Sequence, residues 1–285
     1  MNTLVPRACR PTSWIAVLAV LFAAATPAAA QFKPRTVEDP SVGERFHIEA
    51  SADIWFPTAD LTFASAGSDH LAGLDGSQID AKRDLGLQDK SLPQLGLVLK
   101  GGGKSRHKLR VQYIPIKYEQ TAVLPQRLVF NGLAYNVGVP VNSTLKWQAL
   151  RIGYEYDFLL HPDWFVGFII EDKQTDVRVD LVTPLVTPQF AHAQAPIPAL
   201  GGIARYYPAP HIAISGEVTG FKIPDSIDNR YAAHYVDFDI YGMYNFTRNA
   251  GARFGYRAMD MGYLFKDDSG SFTLKGAYVG IVVRY

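Results

Sequence analysis

The sequence predicts an all-β protein, an antiparallel up-and-down β-barrel that crosses a membrane on its strands. Three observations carry that prediction. Apolar and polar residues alternate with a period of two along most of the chain. The connections between the alternating segments are short and long by turns. The polar face carries charges that a water-soluble barrel would have to bury at several kcal/mol each unless paired. Composition agrees: 48% hydrophobic and 12% aromatic residues with 24 glycines lean toward strands and exclude a disordered chain. Lys+Arg number 28 against 27 Asp+Glu, a balance that argues against nucleic acid as a partner.

Residues 1–30 read as a removable secretory signal. Arg7 and Arg10 precede the apolar run Trp14 to Ala25, and Ala28-Ala29-Ala30 ends the segment, so the expected cut lies between Ala30 and Gln31. The one cysteine, Cys9, lies within it, which leaves the mature chain without a disulfide or thiolate metal site. Residues 31–44 are polar and punctuated by proline, a short periplasmic leader, and the barrel occupies 45–285.

The alternation begins at Phe46, where Phe46, Ile48, Ala50, Ala52, Ile54 and Phe56 share one face and His47, Glu49, Ser51, Asp53 and Trp55 the other. It recurs in Leu95–Leu99, Leu109–Tyr113, Ile152–Phe158, Ile212–Val218, Val236–Tyr244 and Phe254–Tyr256. The segment 164–181 changes its apolar parity between Ile170 and Val177, which reads as a bulge. The expected strands are 45–56, 93–101, 107–120, 143–158, 164–181, 198–207, 211–223, 232–246, 250–263 and 271–285. These ten close between the first and the last; eight strands with 45–56 unpaired is the competing model. Long loops at 57–92, 121–142 and 182–197 alternate with short turns at 101–106, 159–163, 208–210 and 247–249. Such sorting is the pattern of an outer-membrane barrel, with short turns on the periplasmic side and long loops outside. Asn131-Gly132 is a hairpin signal, predicting a ribbon that rises above the membrane.

With apolar side chains outward, thirteen charges face the lumen: Glu49, Asp53, Arg110, Arg151, Glu155, Glu171, Lys173, Arg205, Glu217, Asp237, Asp239, Arg253 and Arg257. Six bases facing seven acids favour pairing into a plug over lining an open pore. The turn at 247–249 sets Arg257 opposite Asp239 and Arg253 opposite Met243. Aromatics cluster at both strand ends, as two membrane–water interfaces require.

The final residues, Tyr278, Gly280, Val283 and Tyr285 within Tyr278-Val279-Gly280-Ile281-Val282-Val283-Arg284-Tyr285, resemble the C-terminal signal of bacterial outer-membrane barrel proteins. The segment 80–97 and this ending are similar to those of small outer-membrane barrels of Gram-negative bacteria. The resemblance implies fold, location in the outer membrane, and recognition by the barrel-insertion machinery. It implies no activity.

Nothing in the sequence requires a cofactor or a metal. The seven histidines show no close pair at ligand spacing, and Gly101-Gly102-Gly103-Lys104 reads as a turn, lacking the context of a phosphate loop. A rim protease needs a histidine among carboxylates; His234 near Asp237, Asp225 and Asp228 is the best candidate, though His234 and Asp237 have opposite parity. A lipid-modifying esterase would rest on His211 and Ser215, of equal parity. The reading is therefore a non-enzymatic monomer in outer-membrane lipid, structural or a narrow passive channel. Two alternatives stay open: a binding barrel that meets an extracellular partner through the loops 57–92, 121–142 and 182–197, and an outer-membrane hydrolase.

Overall fold

The computed structural model describes residues 43–64, 77–102, 105–130, 133–183, 186–223, 231–265 and 268–285. The predicted signal segment, most of the leader, Asn131-Gly132, His70 and residues 224–230 lie outside them. The strands are β1 (Ile48–Ala64), β2 (Ile79–Asp80), β3 (Leu92–Lys100), β4 (His107–Val123), β5 (Leu128–Phe130), β6 (Leu133–Tyr135), β7 (Pro140–His161), β8 (Trp164–Thr183), β9 (Val186–Ala209), β10 (Ile212–Ile223), β11 (Tyr231–Asn245), β12 (Ala250–Phe265) and β13 (Asp268–Arg284). Ten of them form one antiparallel barrel in the order β1-β3-β4-β7-β8-β9-β10-β11-β12-β13, closed by β13 on β1 from Glu49↔Arg284 to Ala64↔Ser269. The eight-stranded alternative fails, because β1 pairs on both sides. Two-residue β2 joins β1, and β5–β6 is a separate hairpin.

The register fixes the barrel's shape. From Val236, direct cross-strand partners lead one way through Asp260 and Thr273 to Asp60. The other way they lead through Gly220, Leu200, Ile170, Tyr154, Leu109 and Leu99 to Ile48. One circuit therefore climbs β1 from Ile48 to Asp60, a shear of twelve residues. With ten strands that stagger sets a tilt of about 40° and a backbone radius of about 10 Å.

Among the described side chains, the longer barrel strands invert their amphipathicity partway along. On β4 the outward residues run Leu109, Val111, Tyr113, Pro115 and then Lys117, Glu119, Thr121, while the inward ones run Lys108, Arg110, Gln112 and then Ile114, Ile116, Tyr118. On β7 the outward series passes from Ile152 and Leu150 to Gln148, Lys146, Thr144 as the inward one passes from Arg151 to Ala149, Trp147, Leu145. The half nearer the termini is thus apolar outside and charged inside; the half under the long loops is polar outside and apolar inside. In the first half no outward residue is charged, and Ile54, Leu95, Ile152, Ile170, Leu200 and Ile281 stand 44–65% exposed. A continuous apolar band of this kind is far larger than a water-soluble surface carries, and it spans about 20 Å along the axis, enough to meet lipid. The second half is a conventional barrel with a hydrophobic core that includes Trp55, Ile114, Trp147, Met259, Phe272 and Leu274.

The structure corrects several sequence expectations. The parity change between Ile170 and Val177 is no bulge: β7 and β8 stay in register from Asp157↔Gly167 up to Asn142↔Val182, and the surroundings change instead. The segment 182–197 is not an extracellular loop. β8 runs to Thr183 and β9 starts at Val186, pairing as far up as Thr183↔Val186. Pro196 and Pro198, which read as loop punctuation, sit on β9 above Leu200, where β10 no longer pairs; a strand edge tolerates a residue without an N–H. The other two loops also shrink. Residues 57–64 continue β1, and in 121–142 the strands pair up to Val123↔Pro140. Between them the β5–β6 hairpin does not rise as a free ribbon. Leu128, Phe130 and Tyr135 are buried, with Phe63 and Phe130 edge to face at 6.0 Å, so the hairpin caps the apolar core.

Candidate functional site

Among the described residues, buried charge concentrates in the barrel interior. All thirteen sequence-derived charges turn inward, on alternate positions of seven strands and of β1. Five more join them: Glu44, Lys100, Lys108, Asp157 and Arg284. The interior then holds nine bases and nine acids. The added strand residues had a signal in the sequence, since Lys108 shares the parity of Arg110 and Asp157 that of Glu155; Glu44 had none, because it precedes the first strand.

These charges form a chain across the lumen. Asp237 accepts from Arg257 (Nη2, 2.6 Å), Lys173 (3.0 Å) and Arg151 (3.3 Å). Arg151 also reaches Glu171 and Glu217, both at 2.7 Å. Glu217 meets Arg110 at 2.6 Å, Arg110 meets Glu155 at 3.1 Å, and Lys108 bridges Glu155 (2.7 Å) and Asp157 (2.9 Å). Amide side chains complete the chain: the Gln112 oxygen accepts from Arg151 and Arg257 at 3.0 and 2.8 Å, and Gln94 accepts from Arg257 at 2.9 Å. Arg257 is opposite Asp239 in register and Arg253 is opposite Met243, yet the guanidinium of Arg257 reaches diagonally to Asp237. Asp239 instead accepts the Tyr278 hydroxyl at 2.9 Å, and Arg253 binds Asp53 on β1.

The mouth at the termini is closed by the chain before β1. Gly43, at φ 93, turns where a Cβ would strike Asn245 and Arg284. Glu44 then enters the lumen, accepting from Arg205 at 2.5 Å and from the Tyr207 hydroxyl. Burial alone would raise the Glu44 carboxyl, but Arg205, Lys108 and Lys100 hold it well below the usual carboxylate range. Arg284 binds Glu49 at 2.6 Å and Asn245 at 2.8 Å beside it. Inside the charged half remains a cavity of about 60 Å³, between Gly96, Gly153, Arg110 and Arg205, room for no more than a few waters.

The other sequence candidates fall elsewhere. Tyr278 is inward and buried, and a Cβ at Gly280 would run into the Asp53 carboxylate, whereas Val283 and Tyr285 lie outward, 55% and 85% exposed. His234 is on the outer wall, away from Asp237. Its Nε2 is 3.0 Å from Asp260, whose other oxygen accepts the Thr273 hydroxyl at 2.6 Å. Its ring lies over Gly262, where a Cβ would collide with it. Ser215 accepts from Arg205 at 2.8 Å, while His211 is an exposed turn residue bonded to the Asn245 carbonyl. The esterase pair is therefore not assembled. Among the described residues no cluster suits a metal ion.

No family model matches the chain, and no curated protein matches it in sequence. Solved structures do resemble it. The outer membrane protease OmpT of Escherichia coli aligns with a TM-score of 0.52 at 8% identity, over 84% of this chain and 96% of that one. The toluene transporter TodX of P. putida aligns at 0.36 and 9% identity, over 88% and 93%. Ail, the attachment invasion locus protein of Yersinia pestis, solved with a heparin analogue, aligns at 0.34 and 9%, over 84% and 99%. The first of these shows the fold, that of a bacterial outer-membrane β-barrel, and the similarity extends no further than the fold.

Proposed function

We propose that this protein is an integral outer-membrane barrel that conducts no solute and serves as a rigid stalk, presenting its upper half for binding at the cell surface. It would be exported on residues 1–30, and its short turns would face the periplasm. The observation that carries the reading is a lumen filled twice over. The lower half holds the paired charges, and above them Trp55, Ile114, Trp147, Met259 and Leu274, all at most 1% exposed, form an apolar layer under the β5–β6 cap. A permeating ion would have to break ion pairs and then cross an apolar layer without water, and each step is costly. By contrast, the strands continue well above the apolar band. A barrel that only sealed a membrane would have no use for a second, water-facing half, which favours binding over a purely structural role. The hydrolase alternative gains nothing from His234: the nearby hydroxyl of Thr273 donates its hydrogen bond to Asp260 rather than to the imidazole, and the pair faces outward.

Two measurements test this. Purified protein in a planar bilayer should show no stable conductance steps; reproducible steps at neutral pH would overturn the closed barrel. Trypsin added to intact cells should cut at Arg127, an exposed residue at the base of the cap hairpin. Protection of that site until the outer membrane is opened would overturn the orientation.

A further inference from the structure

The rim at the short-turn end has a composition unlike the rest of the surface. Four of the seven histidines gather there, one at each successive strand end: His47 before β1, His107 at the start of β4, His161 at the end of β7, and His211 between β9 and β10. The fifth strand connection, between β11 and β12, carries Arg248, and Arg45 and Arg106 stand beside His47 and His107. Among the described residues of this rim the one outward carboxylate side chain is Asp163; Glu44, Glu49 and Asp157 are turned into the lumen.

Three of the four imidazoles, those of His107, His161 and His211, are seated against an aromatic ring that belongs to the apolar band or touches it. His107 bonds the Tyr154 hydroxyl at 2.5 Å and lies 4.9 Å from the Tyr156 ring. His161 stacks on Trp164 at 5.5 Å with 15° between planes, and His211 lies 6.5 Å from Tyr244. These rings therefore sit at the depth where hydrocarbon gives way to headgroups. The far edge of the band differs. There the first outward charges are of both signs, Lys117, Lys146, Lys222 and Lys275 against Asp60, Asp172 and Asp260. The four histidines are too dispersed to ligate one metal ion, so a shared metal does not account for them.

We propose that this rim is a headgroup-binding collar for anionic phospholipid in the leaflet it faces. The guanidinium groups of Arg45, Arg106 and Arg248 would pair with the phosphates, and the rim histidines other than His211, whose N–H is given to the Asn245 carbonyl, would donate from beside them. Which leaflet this is rests on the orientation proposed above, but the chemistry of the collar does not. A basic side chain held against an anionic headgroup layer gains a modest attraction, so several around one rim give a clear preference without a deep pocket.

The test uses the full barrel, purified folded and exposed to equal mixtures of phosphatidylglycerol and phosphatidylcholine, with bound lipids counted by native mass spectrometry. Phosphatidylglycerol should be retained in preference, by about fivefold for each arginine engaged. The variant R45Q/R106Q/R248Q should lose that preference while keeping its heat-dependent gel mobility, the sign of a folded barrel. Because Arg106 also donates to the Phe158 carbonyl, at 3.3 Å, a second variant guards against misfolding: Asp163→Asn should raise phosphatidylglycerol retention. Equal retention of both lipids by the unaltered protein, or an unchanged preference in the triple variant, overturns the collar. So does full displacement of the lipid by soluble glycerol phosphate, which would mark a free-phosphate site. None of these outcomes depends on which way the barrel faces. Trypsin cutting at Arg127 reads that separately, so failure of the collar and failure of the orientation cannot be confused.

Discussion

At the scale of single residues, the interior is a test of what paired charges contribute. Arg257 is fully buried and gives hydrogen bonds to Asp237, Gln94 and Gln112. Removing it leaves Asp237 with Lys173 and Arg151 but strips the charge-assisted bonds that cost nothing further to keep. Arg257→Ala should therefore destabilise the barrel by about 3–5 kcal/mol, read as a lower unfolding temperature in detergent. A smaller loss would indicate that Lys173, Arg151 and lumenal water replace the lost guanidinium at Asp237. Above the membrane, Asp84 offers a pH signature. Burial alone would raise its carboxyl, but bonds from the Arg83 guanidinium and the Asp80 amide keep it below the usual range. A folded value below the unfolded one means the stabilisation is complete above the unfolded value of about 3.9 and is lost as pH falls through the folded one. Asp84→Asn should then flatten the acid side of the stability profile below about pH 4, measured as unfolding temperature against pH. An unchanged profile would remove Asp84 from the account.

At the scale of elements, what the sequence made legible and what it hid follow from one physical fact. Alternation reports a boundary between two surroundings, not which surrounding is on which side. Where lipid is outside, as on Ile212–Val218 or Phe254–Tyr256, the pattern reads directly, and the register follows from the short turns. Where water is outside, as on Arg178 and Asp180 of β8 against buried Val177 and Val179, the same alternation has the opposite sign. The switch within one strand then looks like a bulge, and an alanine- and proline-rich strand edge such as 186–199 looks like a loop. The ionic plug was open to parity reasoning, whereas its diagonal contacts were not: side-chain length, not register, brings Arg257 to Asp237 instead of Asp239. The inversion makes an element-level prediction. On β4, Val111 faces the apolar band and Lys117 faces water six residues on. Val111→Lys should cost about 2–4 kcal/mol, as a charge near the middle of a lipid-facing band does. Lys117→Val should be nearly neutral. Similar losses for both variants, in refolding titrations into lipid vesicles, would mean that the boundary between the two halves is misplaced.

At the scale of the whole molecule, insertion and closure are separable. The outward Val279, Ile281, Val283 and Tyr285 continue the apolar band on β13 to the chain end, and β13 is the strand that closes the barrel on β1. Deleting Val283–Tyr285 removes the Val283 pairing with Ala50 on one side and Ala250 on the other. The truncated chain should then fail to reach the outer membrane in fractionated cells, and normal levels there would show the C-terminal resemblance to be accidental. Closure to solutes depends on different residues. The ionic half alone leaves a cavity of about 60 Å³, so small rearrangements there would admit water. The apolar layer above it does not share that tolerance, because a hydrophobic constriction excludes ions by remaining dry. In the closed barrel proposed above, the decisive barrier to conduction would be the apolar layer of Trp55, Trp147, Met259 and Leu274 rather than the salt bridges. Replacing Met259 and Leu274 together by serine should hydrate the layer and produce measurable conductance, although every ion pair below is intact. Weakening the plug alone, with Arg257→Gln, should leave the bilayer silent. Conductance in the second variant and silence in the first would reverse the assignment and make the charged half the seal.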